Sequence, residues 1–281
     1  MLKTIEYGNE ISISKEGKFE TYTHFPTDKD CSQHSHYIPN KIENTFSIKI
    51  KKILHESNCL VIKNFGINTD QFIRLNLLIS KKLYFSQRMG SYLHSFKTEV
   101  YSDNLSECAN SGQFHTDFSF QKFAPNYIAL QCINTDPKYP FLGRNYVVSI
   151  KDIFDALLIL FYKSEEEIFN LSLPYSFGDK VIWINPFYQD KKGGVAMRIH
   201  LSLVDSSLLK SEHYIDGISI VVIIGHIALN KSTDFVLDQG DVLIISNKYL
   251  LHKRGECSVN IQSGINNNNF MSREMNSMRF Y

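Results

Sequence analysis

The sequence is short of four things, and each shortage removes a class of function. It has no excess of either charge: 30 Lys and Arg stand against 29 Asp and Glu, a formal net charge of +1, so no global field draws in a polyanion. It has no run of about 18 uncharged apolar residues, the minimum for a helix that crosses a bilayer. Its first residues, MLKTIEYGNEISIS, lack the continuous apolar segment of a secretory signal. It is also thin in cysteine. The five, Cys31, Cys59, Cys108, Cys132 and Cys257, form no CxxC pair and no dense framework, which points to reduced thiols rather than a disulfide scaffold. The expectation is a soluble cytoplasmic protein that binds neither nucleic acid nor membrane; oligomeric state is left open.

What the sequence does hold is apolar bulk in short runs bounded by turns. Apolar residues make up 43% of the 281, with 20 Phe and 15 Tyr, enough for a sizeable core. Barrels and sandwiches of about 200 to 250 residues often form one unit. The expected organisation is therefore a loop-rich arm over 1–50, with a short strand at EISIS, and one domain over 51–281. CLVIKNFGI predicts a buried strand closed by a turn at Gly66. A helix follows over TDQFIRLNLLISKKLYF, capped by Thr69 or Asp70, with Phe72, Leu75, Leu78, Ile79 and Leu83 near helical spacing. Residues 88–112 predict a long loop, a candidate lid. QFHTDFSF, NYIALQCI, NYVVSI, KVIWINPFY, GVAMRIHLSLV, the runs around Gly240, and FMSREMNSMRFY all predict strands. Helices are expected at KDIFDALLILFY and, capped by Asp216, at DGISIVVIIGHIALN. The pattern is mainly β with flanking helices, a barrel or sandwich.

Within this pattern one constellation carries chemistry. Side chains at i and i+2 of a strand share a face, so His115 and Asp117 in QFHTDFSF are set to grip one ion. A second imidazole is available from a distant strand, His252 in YLLHKR. Two imidazoles and one carboxylate on one face, with the remaining positions open, form the facial triad of non-haem Fe(II) oxygenases. Two arginines follow, Arg273 and Arg279, an even number of residues apart and so on one face of a strand. A guanidinium offers a carboxylate a planar two-donor fork that lysine cannot match. Taken singly, each feature has a plain structural reading: a hydrogen-bonded His–Asp pair, a surface ion pair, a satisfied core histidine at His200 or His226, a polar loop at Cys31, His34 and His36.

The order His-x-Asp, His, Arg resembles the Fe(II)/2-oxoglutarate dioxygenases of the taurine dioxygenase and clavaminate synthase-like group. CLVIKNFGI, GQFHTDFSFQKFAPNYIALQCI and FVLDQGDVLIISNKYLLHKR carry the likeness, over roughly residues 55 to 281. The resemblance implies a double-stranded β-helix (jelly roll), with Fe(II), 2-oxoglutarate and O2 as cofactor and co-substrates. It implies His115, Asp117 and His252 as iron ligands and a final-strand arginine as the 2-oxoglutarate anchor. Arg273 is the favoured anchor, because such strands run on for several residues past it and only two follow Arg279. The spacing from His252 is longer than the group's habit, with the INNNN insertion between. The Arg-x5-Arg spacing is also similar to that of the alkylated-nucleic-acid demethylases, in which both arginines hold 2-oxoglutarate. Asn145 stands where relatives often place a threonine that touches the co-substrate. Halogenases of this superfamily have Gly or Ala in place of the carboxylate; Asp117 implies hydroxylation, desaturation or ring formation instead.

The resemblance further implies an amino-acid-like small-molecule substrate of secondary metabolism. Arg198, Arg144 or the unused final-strand arginine is a candidate for its carboxylate, and Phe118, just after the ligand pair, for the pocket mouth. Two other classes remain: a nucleic-acid or protein demethylase on the same core, and a non-catalytic jelly-roll binding module, which would be expected to have lost a ligand.

Overall fold

In chain order the elements are β1 (Lys3–Glu6), α1 (Lys41–Ser57), β2 (Cys59–Lys63), α2 (Thr69–Ile79), β3 (Leu93–Lys97), β4 (Tyr127–Asn134), β5 (Asn145–Ser149), α3 (Ile150–Leu160) and α4 (Glu165–Asn170). Two hairpins follow, β6 (Leu173–Phe177) with β7 (Lys180–Ile184), and β8 (Phe187–Gln189) with β9 (Val195–Met197). Next come β10 (Tyr214–Ile215), β11 (Ile218–Ser219) and α5 (Ile220–Lys231). The chain ends in β12 (Thr233–Phe235), β13 (Val242–Ser246), β14 (Leu250–Arg254), β15 (Val259–Ser263), β16 (Asn268–Ser272) and β17 (Glu274–Phe280). This computed structural model describes residues 2–6, 41–80, 82–86, 90–102, 106–121, 124–177, 179–263 and 268–281. The EISIS strand, the Cys31, His34 and His36 cluster and most of the 1–50 arm lie outside the described residues.

Two sheets carry the architecture. The larger runs β1-β2-β13-β4-β17-β3 and the smaller β12-β5-β14. Period-2 alternation gives the large sheet two apolar faces. Leu60, Ile62, Ala129, Val242, Ile244, Met278 and Phe280 pack on Phe46, Ile50 and Leu54 of α1 and on Phe72 and Leu75 of α2. The alternate residues Cys59, Val61, Ile128, Cys132, Leu243, Ile245 and Met275 turn the other way and meet Val147 and Leu250 of the small sheet. Val148 and Leu251, on the small sheet's far side, join α3, α5 and the hairpins in a third cluster. The order is helices, large sheet, small sheet, helices with hairpins. Each of these aliphatic side chains, fully buried, contributes about 1.5–3 kcal/mol. The chain is mainly β with helices at its flanks, as expected.

Several local expectations need correction. Asn68, not Thr69 or Asp70, caps α2, its side chain accepting from Gln71 N–H at 2.9 Å. Ser219 caps α5, while Asp216 occupies a left-handed turn position with φ of 50°. The proposed boundary at residue 50 falls inside α1, whose Ile50 is fully buried. The loop expected over 88–112 contains β3, which pairs antiparallel with β17 from Leu93↔Met278 to Lys97↔Glu274. Its sequence, LHSFK, hides the strand because it is an edge strand with no fully buried residue. QFHTDFSF is not a continuous strand: His115 makes isolated bridges to His200 and His252, and residues 117–120 form a turn. Phe118 adopts φ of 55°, and Gln121 N–H donates back to its carbonyl at 2.9 Å.

Candidate metal centre

Strand pairing and side-chain clamps, rather than strand periodicity, bring the three candidate ligands together. His115 and His252 exchange backbone hydrogen bonds in both directions, at 3.0 and 3.1 Å, which sets their ring centroids 4.3 Å apart. Between His115 and Asp117, the buried Thr116 is pinned to Ile199: its N–H donates to the Ile199 carbonyl at 2.7 Å, and its hydroxyl accepts from Ile199 N–H at 3.0 Å. Asp117 follows at the turn. Its Oδ1 lies 3.6 Å from Nε2 of His115 and 3.6 Å from Nε2 of His252. One donor atom from each of the three residues falls within a 4.8 Å group. His115 Nδ1 lies 2.8 Å from the Gln113 carbonyl, which can only accept, so Nδ1 is the donor there and Nε2 is the atom that faces the site.

The local electrostatics suit a cation. Burial alone would raise the Asp117 carboxyl, but the Arg279 guanidinium, whose Nε donates to Oδ2 at 2.6 Å, and the two imidazoles outweigh it and hold the group well below the usual carboxylate range. Burial pushes the His252 imidazole down to about 3. Near neutral pH the pair is an ionised carboxylate and a neutral imidazole, the protonation states in which both bind metal. Nδ1 of His252 is buried without a hydrogen-bond partner.

A cavity of about 490 Å³ opens from these residues between the two sheets, walled by Ile128, Leu130, Val147 and Leu243. The even spacing of the arginines works as expected. Arg273, Ser277 and Arg279 line the cavity, while Met278 and Phe280 pack on the opposite face. The two guanidinium groups differ. Arg279 is paired with Asp117 and lies 5.3 Å from the Phe118 ring. Arg273, only 5% exposed, donates to Asn145 Oδ1 at 2.8 Å, and no carboxylate among the described residues forms an ion pair with it. Asn145, also 5% exposed and on the cavity wall, leaves its Nδ2 buried without a partner.

Phe118 lines the cavity and packs on Tyr84 with ring centroids 4.5 Å apart. Two other sequence candidates are elsewhere. Arg198 is not among the cavity-lining residues; its guanidinium lies 5.9 Å from the Tyr188 ring. Arg144 is drawn away by Asp234, with Nε 2.5 Å from the carboxylate. Sequence reasoning missed His200. It sits in an apolar run, yet its ring lines the cavity and stacks on His115 at 4.5 Å, and burial pushes its imidazole down to about 4. Of the segment expected as a lid, His94, Phe96, Ser106 and Gly112 border the cavity. Arg254 ties this segment to β14 by donating to the Asn110 carbonyl at 2.9 Å.

No protein-family model matches the sequence, and no curated protein matches it. Solved structures do. A taurine dioxygenase from Burkholderia xenovorans superposes with a TM-score of 0.61 at 12% identity, covering 86% of this chain and 83% of that one. An asparagine oxygenase, solved with Fe(II), (2S,3S)-3-hydroxyasparagine and succinate, gives 0.64 at 9% identity over 84% and 78%. The non-haem iron oxygenase OrfP, solved with Fe, succinate and (3S)-hydroxy-L-Arg, gives 0.58 at 13% identity over 87% and 80%. At such identities the likeness establishes the fold. The chain has the fold of the taurine dioxygenase and clavaminate synthase-like oxygenases, the group its motifs resemble.

Proposed function

We propose that this chain is an Fe(II)- and 2-oxoglutarate-dependent oxygenase, built on a double-stranded β-helix, that oxidises an amino acid or an amino-acid-derived small molecule. The observation that carries this reading is the sharing of one cavity by the His115, Asp117 and His252 cluster and the unpaired, buried guanidinium of Arg273. A buried charge costs several kcal/mol unless it is paired. A carboxylate is the natural partner of a guanidinium fork, and 2-oxoglutarate carries one at each end. Arg273, with Asn145 Nδ2 beside it, would take the distal carboxylate. The keto acid end would then reach the metal.

The donor set fits ferrous iron: neutral imidazole and carboxylate with no thiolate, on one side of an open cavity. Bound there, iron would supply O2 activation and the oxidation of an unactivated C–H bond. The chain's own residues do the rest. Arg279 holds Asp117 Oδ2, which leaves Oδ1 directed at the two imidazoles. The aliphatic wall excludes water, and a dry site protects the oxidant and strengthens the charge contacts. Asp117 keeps the carboxylate position filled, which favours hydroxylation, desaturation or ring closure over chlorination. The amino-acid products held by asparagine oxygenase and OrfP support an amino-acid-like substrate. Phe118 and His200, on the cavity wall beside the ligands, are the side chains we assign to contact it.

Cys59, Cys108, Cys132 and Cys257 are all free thiols, which supports a reducing cytoplasmic setting, and we assign the enzyme to secondary metabolism. No helix of the described residues is long and apolar enough to cross a membrane. Mass spectrometry of succinate formed with Fe(II), 2-oxoglutarate, O2 and a panel of amino acids and their derivatives tests the proposal. Succinate formed in step with one oxidised panel member is the expected result. Turnover only on methylated oligonucleotide or peptide would transfer the same site to a demethylase.

A further inference from the structure

The side chain of Asn247 stands apart from the three ligands, yet it holds one of them. It is the first residue after β13, is 3% exposed, and precedes His252 by five positions, on the short connection that leads from the large sheet to β14 in the small one. Its Oδ1 accepts from Asp117 N–H at 2.7 Å, and its Nδ2 donates to the Asp117 carbonyl at 2.9 Å and to the Pro125 carbonyl at 3.0 Å. One carboxamide thus satisfies both polar groups of a single residue's backbone, the role a neighbouring strand plays in a sheet. Asp117 needs such a partner. The next residue, Phe118, turns left-handed, so the chain leaves any strand alignment directly after the carboxylate.

We infer that Asn247 is a positioning residue for the metal site, fixing the Asp117 backbone so that its carboxylate stays within reach of both imidazoles. The inference rests on the iron reading above. It goes further by assigning a ligand-holding role to a residue that touches neither metal nor substrate. Asparagine is the side chain of this size that fits: its single acceptor faces the one N–H and its donor faces two carbonyls. Aspartate would place an oxygen against both carbonyls, and alanine would leave all three backbone groups unmatched. Because Asn247 lies on the connection between β13 and β14, it also ties the Asp117 turn to the segment that leads into β14 and His252. The two remote parts of the triad are joined here as well as at the His115–His252 backbone pair.

The test uses the full-length protein without iron and Co(II) as a spectroscopic probe. Wild type, Asn247→Ala, Asn247→Asp and Asn76→Ala are compared by Co(II) titration, ligand-field absorption and thermal melting. Asn76 is the control for the loss of a buried carboxamide, since it is fully buried in α2 and its Nδ2 donates to the Phe72 carbonyl at 2.7 Å, away from the cavity. The expected result is a Co(II) Kd raised about 10- to 100-fold in Asn247→Ala, the range typical of lost outer-sphere support, with a changed ligand-field spectrum. Asn76→Ala melts earlier than wild type and binds Co(II) as wild type does. If Asn247→Ala does not fold, Asn247→Asp serves, since it keeps the acceptor for Asp117 N–H and loses the donations; the same weakened and altered Co(II) binding is expected. Wild-type Co(II) affinity and spectrum in the folded Asn247 variant overturn the inference alone. Failure of wild type to bind Co(II) overturns the iron reading with it.

Discussion

The two ends of the cavity are finished to different degrees. At one end the charges are paired and one ring atom is left over: Asp117 accepts from Arg279, the backbones of His115 and His252 bond each other, and His252 Nδ1 is buried without a partner. At the other end Arg273 meets the Asn145 amide and the Cys257 thiol but no carboxylate among the described residues, and Asn145 Nδ2 has no partner. Buried polar groups are normally satisfied, so an exception calls for a cause. Under the proposed function the metal end is an ordered scaffold before anything binds, whereas the far end is a receptor whose donors await an anion. Two arginines six residues apart, one just before β17 and one within it, meet different partners.

The largest expected effect lies at the receptor end. Arg273→Gln should raise the Kd for 2-oxoglutarate about 100-fold or more, because removing one partner of a buried ionic contact costs about 2–5 kcal/mol. Calorimetric titration of the anaerobic, metal-loaded protein measures it. Arg273→Lys should recover only part of the loss, since the ammonium lacks the planar fork. At the scaffold end Arg279→Gln should act on the metal, weakening Co(II) binding about tenfold while changing 2-oxoglutarate affinity less than threefold. The reverse ranking of the two variants would erase the distinction between the ends.

The smallest expected effect is a pH dependence confined to the metal end. Burial lowers the folded-state pKa of His252 from 6.5 to about 3. Between those values the unfolded chain binds a proton that the folded chain refuses, so stability rises with pH across this window. The His252 contribution is complete above the unfolded value and is lost as pH falls from there towards about 3. Asp117, depressed in the folded state, loses its contribution only below the ordinary carboxylate value of 3.8. Melting of the metal-free protein should therefore fall steadily from pH 7 to pH 4.5, and His252→Phe should reduce the slope, leaving the part that His200, lowered to about 4, contributes. A melting temperature that rises on acidification contradicts the assignment.

Residue types were easier to read from the sequence than the geometry that joins them. His115, Asp117, His252, Arg273, Arg279 and Asn145 are legible because few chains place them in that order, and the structure gathers all six around one cavity. The path is different from the expected one. A period-2 strand suggested that His115 and Asp117 share a face, but a bridge, a Thr116 clamp and a left-handed turn bring them together. None of these shows in hydrophobic pattern. His200 was hidden because it lies between Ile199 and Leu201, both core residues, so its run reads as interior. Arg198 and Arg144 offer the sequence only their charge, and no sequence signal tells that one lies by Tyr188 and the other by Asp234. The β3 strand was lost for a related reason, as an edge strand has too little buried surface to impose alternation.

One titration bears most directly on the proposal. Fe(II) is added anaerobically to the protein, then 2-oxoglutarate, and the visible spectrum is followed for the charge-transfer band of a keto acid chelated to ferrous iron. The account predicts a saturable band in wild type, shifted to far higher 2-oxoglutarate concentration in Arg273→Gln and abolished in Asp117→Ala. Iron bound at the triad with no band at any 2-oxoglutarate concentration, or an unchanged titration in Arg273→Gln, would contradict it.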